Sequence, residues 1–172
     1  MITLDQLQQI MPHAGGRAAV FLDSLNAAME EFSINTPLRQ AAFLAQIAHE
    51  SGSLRYVKEL ATGSAYENRK DLGNVKAGDG PRYKGRGLIQ ITGRTNYQRV
   101  ASVLGFDCVN HPELLESRTN ACRSAAWWWK EHGLNELADA GEFRKITRRI
   151  NGGYNGEAER LRYYQIALGV LR

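Results

Sequence analysis

A glutamate, Glu50, stands at the end of a segment whose residue spacing predicts a helix. Phe43, Ile47 and Glu50 follow one another at intervals of four and three residues, so they share one helical face. An apolar environment and the negative end of the helix dipole both favour the protonated carboxyl, which is the form that a general acid needs. The pattern predicts an acid catalyst, with a solvated glutamate near a helix end as the alternative.

A second carboxylate, Glu59, follows nine positions after Glu50, and Gly52 between them predicts the end of the helix. A pair of carboxyl groups is what glycoside hydrolysis requires. One carboxyl protonates the leaving oxygen, while the other activates water at roughly 6.5–9.5 Å or attacks directly at about 5–5.5 Å. The sequence leaves this distance open, and Glu67 competes with Glu59 for the second role.

A glycine-rich segment at residues 83–93, YKGRGLIQITG, offers the backbone and the side chains that a sugar site needs. Glycines let a ligand approach closely, amides and hydroxyls suit the polar groups of sugars, and tyrosines offer flat faces to sugar rings. The segment matches neither of the glycine patterns that cradle phosphates, so a nucleotide site is not indicated. A structural hairpin is the alternative. The candidate sugar contacts here are Tyr66, Tyr83, Gln90, Thr92 and Asn96.

The segments around these residues predict a mainly helical protein. Thr36 and Pro37 mark the start of the helix that carries Glu50. Residues 74–93 predict no helix, but a small hairpin or irregular loop with a short extended stretch. The other predicted helices are a short one that begins at Thr3 with Gln6 in a capping box, and residues 16–33, 95–104, 122–131, 141–150 and 157–171.

Length and composition favour one catalytic domain over residues 1–172, with room for a small helical sub-lobe. The apolar share of 43% is enough to build a core. Three consecutive tryptophans, Trp127 to Trp129, point in directions roughly 100° apart on a helix. They cannot form one sugar platform, so we expect at least two of them to pack in the core.

The net charge of +4 suits an anionic surface without naming one, because bacterial wall polymers and nucleic acid both qualify. Cations are locally concentrated in the predicted helix at 141–150. This cluster is either a solvated helix face or a contact for a polyanion, and the sequence does not choose between them. Its members are Arg144, Lys145, Arg148 and Arg149.

Several classes of protein are not indicated by the sequence. Cys108 and Cys122 form no CxxC pair, so we expect two reduced, buried thiols or at most one bridge. No cluster of His, Cys, Asp or Glu has the spacing of a metal site, and we expect neither a metal nor a cofactor. No apolar run approaches the ~20 residues that span a bilayer. Residues 1–15 lack the pattern of a signal peptide, which predicts synthesis in the cytoplasm.

Three segments, in consistent order between Leu38 and Tyr164, resemble glycoside hydrolase family 19, a family of chitinases. The first resembles the helix that bears the catalytic acid, the second the glycine-rich motif of the substrate cleft, and the third the C-terminal signature. Within the family, the resemblance is to phage endolysins, which degrade peptidoglycan. The segments are residues 43–52, residues 83–97, and residues 150–153 with 158–161 and 163–164.

The resemblance implies a mainly α, lysozyme-like domain with two lobes and a cleft lined by a small irregular or hairpin segment. It implies an inverting mechanism, with Glu50 as the acid, Glu59 as the base and Thr92 as the hydroxyl that positions water. Polar positions near the C-terminus also match those of the family, and there Arg160 would tune the carboxylates or hold the base. The predicted substrate-binding residues are His49, Tyr66, Tyr83, Gln90, Asn96, Asn151 and Arg160.

The function predicted on this basis is hydrolysis of the β-1,4 glycosidic bonds of bacterial peptidoglycan by a monomeric, muramidase-type endolysin. The protein would act on the wall after the membrane has been permeabilised, without binding nucleic acid or spanning a membrane. A chitinase acting on poly-N-acetylglucosamine and a non-catalytic wall-binding module are the alternatives. Two departures from the family stand out: the loops that lengthen plant chitinases are absent, and Asn155 occupies a position where some relatives carry an acidic residue.

Overall fold

The computed structural model describes all 172 residues and confirms a mainly helical fold. Packing divides the chain into two units. The first contains Met1–Arg55 and Ala126–Arg172, and the second contains Tyr56–Ala125. The α-helices are α1 (Leu4–Ile10), α2 (Arg17–Glu31), α3 (Pro37–Glu50), α4 (Asp79–Arg82), α5 (Arg94–Leu104), α6 (Arg118–Glu131), α7 (Leu134–Asp139), α8 (Phe143–Asn151) and α9 (Glu157–Val170).

Helix α3 forms the centre of the first unit and packs against α9. It begins as predicted, because the Thr36 hydroxyl accepts a hydrogen bond from the Arg39 N–H at 3.2 Å and Pro37 occupies the first helical position. Residues 41–48 are all buried, so the helix is enclosed on every side rather than along one stripe. This burial makes α3 a rigid support for Glu50, its last residue.

The other predictions for the first unit are largely confirmed. The capping box of Thr3 and Gln6 is present at the start of α1. Trp127 and Trp129 are buried, and the Trp129 ring meets Phe43 edge to face at 5.3 Å between centroids. Helix α7 was not predicted, because its six residues are too few to show a helical period.

The second unit is built from short elements around the glycine-rich segment. Isolated β-bridges join Lys58 to Arg86 and Arg86 to Ile91, which confirms a small hairpin-like loop. The expectation that residues 74–93 contain no helix is wrong at α4. This single turn has no capping side chain of its own, but the Glu67 carboxylate accepts the N–H groups of Gly78 and Gly80, both at 2.8 Å. A partner distant in sequence therefore supplies the cap.

A buried ion pair ties α4 to α5 within the second unit. Arg94 donates two hydrogen bonds to the Asp79 carboxylate, at 2.8 and 2.7 Å, and the Asp79 side chain is almost fully buried. These bonds lower the pKa of Asp79. The pair brackets the glycine-rich segment and fixes both of its ends.

Two further predictions concern the cysteines and the membrane. Cys108 and Cys122 are both free and buried, as expected for two reduced thiols. Burial raises the pKa of Cys108 to about 11 and that of Cys122 to about 12, so both thiols stay protonated and unreactive at neutral pH. None of the helices combines the length and the apolar character that crossing a bilayer requires.

Replacing Arg94 by methionine should destabilise the protein by on the order of 3 kcal/mol at pH 7, because it leaves the buried Asp79 charge without its partner. The pKa of Asp79 is lower in the folded than in the unfolded protein. The ion pair therefore stabilises the folded state fully at pH values above the unfolded pKa of about 4. That stabilisation is lost as the pH falls through the folded value. Urea denaturation should therefore show a large difference in unfolding free energy between the wild type and Arg94→Met at pH 7, and a smaller difference at acidic pH.

The matched control is Arg69→Met, which removes a guanidinium that pairs with Asp71 on the exposed surface of the same unit. Because solvent screens this pair, the control should leave the denaturation midpoint nearly unchanged at both pH values. Equal losses of stability in Arg94→Met and Arg69→Met would contradict the conclusion that the Asp79–Arg94 ion pair stabilises the glycine-rich segment.

Candidate active site

Glu50 closes α3, and its carboxylate meets a cation. Its Oε1 lies 2.7 Å from Nη1 of Arg160 on α9. The Glu50 side chain is 23% exposed, whereas that of Arg160 is 1% exposed. The surroundings of the carboxylate are therefore not simply apolar as predicted. A buried guanidinium contacts the carboxylate on one side, and the other side is open to solvent.

Arg160 is held in place by further hydrogen bonds within the first unit. Its Nη1 donates to Oε1 of Gln46 at 2.6 Å, and its Nε donates to the backbone carbonyl of Asn155 at 3.0 Å. Gln46 in turn donates through Nε2 to the Thr147 hydroxyl at 3.0 Å. Asn155 thus contributes through its backbone, which makes this contact independent of the side chain at that position.

Sequence reasoning missed Gln46 and Thr147, both of which are fully buried. A signal was present in the sequence. Gln46 interrupts an apolar run and lies four residues before Glu50, so it shares the helical face of the candidate acid. A buried amide needs partners, and its position pointed towards the carboxylate.

His49 contacts the first turn of α9 and the loop that precedes this helix. Its Nδ1 lies 2.9 Å from Oε1 of Glu159, and its ring fills the space where a Cβ at Gly156 would stand. Gly156 has a φ of +72°, so a side chain there is excluded twice. Asn151 accepts a hydrogen bond from the Asn155 N–H at 3.1 Å and closes the same loop. These contacts show His49 and Asn151 shaping the loop that carries the Arg160 partner.

Glu59 is oriented by two donors within the second unit. Its Oε1 accepts the Gly85 N–H at 2.6 Å, and its Oε2 accepts the Tyr66 hydroxyl at 3.2 Å. Burial raises the pKa of Tyr66, and the negative charge of Glu59 raises it further, so the phenol remains a donor. The half-buried Glu59 keeps acceptor capacity for water, because a carboxylate offers about four lone-pair sites and these donors use two.

The competing carboxylate, Glu67, has a structural task. Both of its oxygens accept backbone N–H groups at the start of α4. The N–H groups of Gly80 and Gly78 lower the pKa of Glu67. Recruiting this carboxylate for chemistry would release the turn that it caps.

Tyr83 does not offer a face to a sugar ring, so that prediction is wrong. The residue is 1% exposed, its hydroxyl donates to the Val109 carbonyl at 2.8 Å, and its ring meets Tyr97 at 5.0 Å between centroids. The Arg94 guanidinium lies 4.9 Å from the ring centroid. Tyr83 is therefore a core residue of the second unit. The sequence pattern did not predict this, because Tyr97 and Val109 are distant from Tyr83 along the chain.

The remaining predicted residues lie along the glycine-rich segment. Thr92 is half-buried, and its carbonyl accepts a hydrogen bond from Nδ2 of Asn96 at 2.8 Å. Gln90 is exposed, and its side chain lies across Gly85, where a Cβ would collide with it. Because Gly85 also donates to Glu59, the structure brings Gln90, Gly85 and Glu59 together.

Each unit therefore contains one of the two candidate catalytic carboxylates, and each candidate has defined partners. Glu50 has a buried cation beside it, which stabilises the negative charge that remains when a carboxyl donates a proton. Glu59 is fixed by donors that suit a carboxylate acting as a base. No group of three or more His, Cys, Asp or Glu side chains is arranged to hold a metal ion.

Comparison with known proteins places these features in a family. The family model of class I chitinases matches residues 34–137. A glycosyl hydrolase family 19 domain-containing protein of Haemophilus influenzae is 32% identical, over 96% of this chain and 94% of its own length. An endochitinase of Arabidopsis thaliana is 38% identical over 66% of this chain, which spans 39% of that longer protein.

A solved structure leads to the same family. The crystal structure of a bacterial family 19 chitinase superimposes with a TM-score of 0.82 and 25% identity, over 99% of this chain and 94% of that one. The family predicted from the sequence and its lysozyme-like helical fold are confirmed by these matches. The chain belongs to glycoside hydrolase family 19 and is a glycoside hydrolase.

Proposed function

We propose that this glycoside hydrolase cleaves the β-1,4 bonds of bacterial peptidoglycan by an inverting mechanism. Glu50 is the acid that protonates the leaving oxygen, and Glu59 is the base that activates water. The observation that carries the proposal is the contrast between the two carboxylates. One is paired with a buried guanidinium, and the other is oriented by a backbone N–H and a phenol.

The partners of Glu50 suit the acid step. Proton donation converts the carboxyl into a carboxylate, and Arg160 lies 2.7 Å away to stabilise the charge that appears. Arg160 needs little movement to do so, because Gln46 and the Asn155 carbonyl already hold it. A preorganised cation of this kind acts on the transition state at no cost of reorganisation.

The partners of Glu59 suit the base step. Gly85 and Tyr66 fix the plane of the carboxylate and leave lone pairs for a water molecule. In the proposed mechanism the Thr92 hydroxyl orients that water, and Gln90 and Asn96 bind the sugar. Glu67 is disfavoured as the base, because both of its oxygens cap α4.

A basic surface on α8 favours peptidoglycan over a neutral polymer. Its four cations are exposed, and two of them pair with carboxylates: Arg144 with Glu157 at 2.8 Å and Lys145 with Glu142 at 3.7 Å. A cluster of exposed cations suits the carboxylates of the peptide stems, which chitin lacks. We name this basic surface by its members, Arg144, Lys145, Arg148 and Arg149.

Stacking keeps part of the basic surface ordered. The guanidinium of Arg144 lies 4.0 Å from the centroid of the Tyr154 ring, and that of Arg148 lies 5.7 Å from the same centroid. Cations that are already ordered lose less freedom when they bind an anion. The surface therefore supports recognition of an anionic polymer.

A chitinase acting on poly-N-acetylglucosamine is the second candidate, favoured by the endochitinase and the bacterial chitinase to which the chain is similar. Mass spectrometry of the products separates the two. We expect fragments of peptidoglycan with N-acetylmuramic acid at the new reducing end. Rapid release of chitin oligomers, with no cleavage of walls, would favour the chitinase. Binding to walls without any new reducing ends would favour a non-catalytic module instead.

The substitution Glu50→Gln should lower the rate of wall hydrolysis at least about a hundredfold, because the amide has no proton of suitable acidity to donate. The fold should survive, since the amide oxygen still accepts a hydrogen bond from Arg160. Turbidity loss of permeabilised cells measures activity, and thermal unfolding checks the fold. A folded Glu50→Gln protein that lyses cells normally would refute the assignment of the acid.

The pair of substitutions Glu59→Gln and Glu67→Gln distinguishes the two candidate bases. Glu59→Gln should reduce activity more than about tenfold, which corresponds to roughly 1.4 kcal/mol of barrier, with little effect on the melting temperature. Glu67→Gln should lower the melting temperature, because it loses one acceptor for the N–H groups of α4, while the activity of the folded protein stays near that of the wild type. The reverse pattern would make Glu67 the base.

The double substitution Lys145→Gln with Arg148→Gln should slow wall lysis at least about threefold at low ionic strength. The difference should disappear near 1 M salt, where the screening length falls to about 3 Å. The control, Lys70→Gln with Lys76→Gln, removes the same charge from exposed positions of the second unit. Equal slowing by both double variants would show that net charge, and not the basic surface, governs the effect.

A further inference from the structure

A polar chain of four side chains runs through the first unit, and its three buried members lead to the partly exposed carboxylate of Glu50. It passes from Thr147 on α8 to Gln46 on α3, and from there to Arg160 on α9. Its links measure 3.0, 2.6 and 2.7 Å. We infer that Gln46 and Thr147 are positioning residues. They set the position of the Arg160 guanidinium and its electrostatic effect on Glu50, and thereby how readily Glu50 donates its proton. The inference rests on the function proposed for Glu50.

The chemistry of the partners fixes the direction of every hydrogen bond in this chain. Arginine has donors only, so the amide oxygen of Gln46 must face Arg160. The amide nitrogen then faces Thr147, whose hydroxyl must accept. The Gln46 side chain therefore has one allowed orientation, and the Thr147 hydroxyl is the group that enforces it.

Burial makes this orientation costly to break. Gln46 and Thr147 are fully buried, and Arg160 is 1% exposed, so water cannot replace a lost partner. Without the Thr147 hydroxyl, the Gln46 amide would keep an unpaired donor and could rotate away from Arg160. The guanidinium would then be held by Glu50 and the Asn155 carbonyl alone. A small displacement of Arg160 would move the carboxylate that it holds.

The absence of charge on the Gln46 side chain also matters for the interaction between Arg160 and Glu50. A carboxylate at position 46 would still accept the hydrogen bond from Arg160, and the Thr147 hydroxyl could reverse and donate to it. It would also place a second negative charge 2.6 Å from the guanidinium, in competition with Glu50. The amide therefore leaves the positive charge of Arg160 available to the acid.

The first test is Gln46→Glu, read out as the pH dependence of kcat on whichever polymer the wild-type enzyme cleaves. The added negative charge favours the protonated form of Glu50. The alkaline limb of the profile, where the acid loses its proton, should therefore move to higher pH by on the order of one unit. We expect kcat at the wild-type optimum to fall about tenfold, with KM within about twofold.

The second test is Thr147→Val, with Thr147→Ser as its matched control. Valine keeps the shape and removes the hydroxyl, whereas serine keeps the hydroxyl. We expect kcat to fall at least about fivefold with valine and to stay within about twofold of the wild type with serine. This pair remains informative if Gln46→Glu does not fold.

The outcomes separate this inference from the function on which it rests. If Gln46→Glu and Thr147→Val lower thermal stability but leave the pH profile and kcat of the folded enzyme unchanged, the two residues are structural only and the inference is wrong. Glu50→Gln is measured in parallel. Full activity of that variant refutes the proposed role of Glu50, whereas an inactive Glu50→Gln with unchanged positioning variants refutes the inference alone.

Discussion

Arg160 carries a full positive charge at a position that is 1% exposed to solvent, and the first unit is arranged to compensate for it. A buried guanidinium is tolerated only when its donors are matched by acceptors. Here the acceptors come from Gln46, from the backbone of Asn155 and from Glu50. Because α3 and α9 pack along each other, the contact that stabilises the charge also fixes the candidate acid. In this unit, stability and the preparation of the site depend on the same interaction.

In the second unit, side-chain contacts order the glycine-rich segment in place of long helices or strands. Glu59 and Glu67, which compete for the role of base in the sequence, have separate tasks there. Glu67 gives both oxygens to the backbone of α4, while Glu59 receives one backbone N–H and one phenol. The Asp79–Arg94 pair brackets the same segment. Structural carboxylates thus leave Glu59 free to act as the base in the proposed mechanism.

Local rules in the sequence were enough to predict the helix of Glu50, because a capping threonine, a proline and helical spacing all agree at its residues. They were not enough for α4, whose cap comes from Glu67, eleven residues or more away. Tyr83 was misassigned for a similar reason, since its burial depends on Tyr97 and Val109. Gln46 and Thr147 meet across 101 residues, so no local pattern could pair them.

In the proposed mechanism, Glu50 and Glu59 act as acid and base on a single bond, with water as the nucleophile. The anomeric configuration of the first product distinguishes this mechanism from one with a covalent intermediate. Proton NMR, recorded within seconds of mixing the wild-type enzyme with soluble fragments of the polymer that it cleaves, reports the anomer before mutarotation. Direct attack of water on a β-linked sugar predicts the α-anomer. Initial formation of the β-anomer would require two successive inversions and would contradict an inverting mechanism with Glu59 as the base.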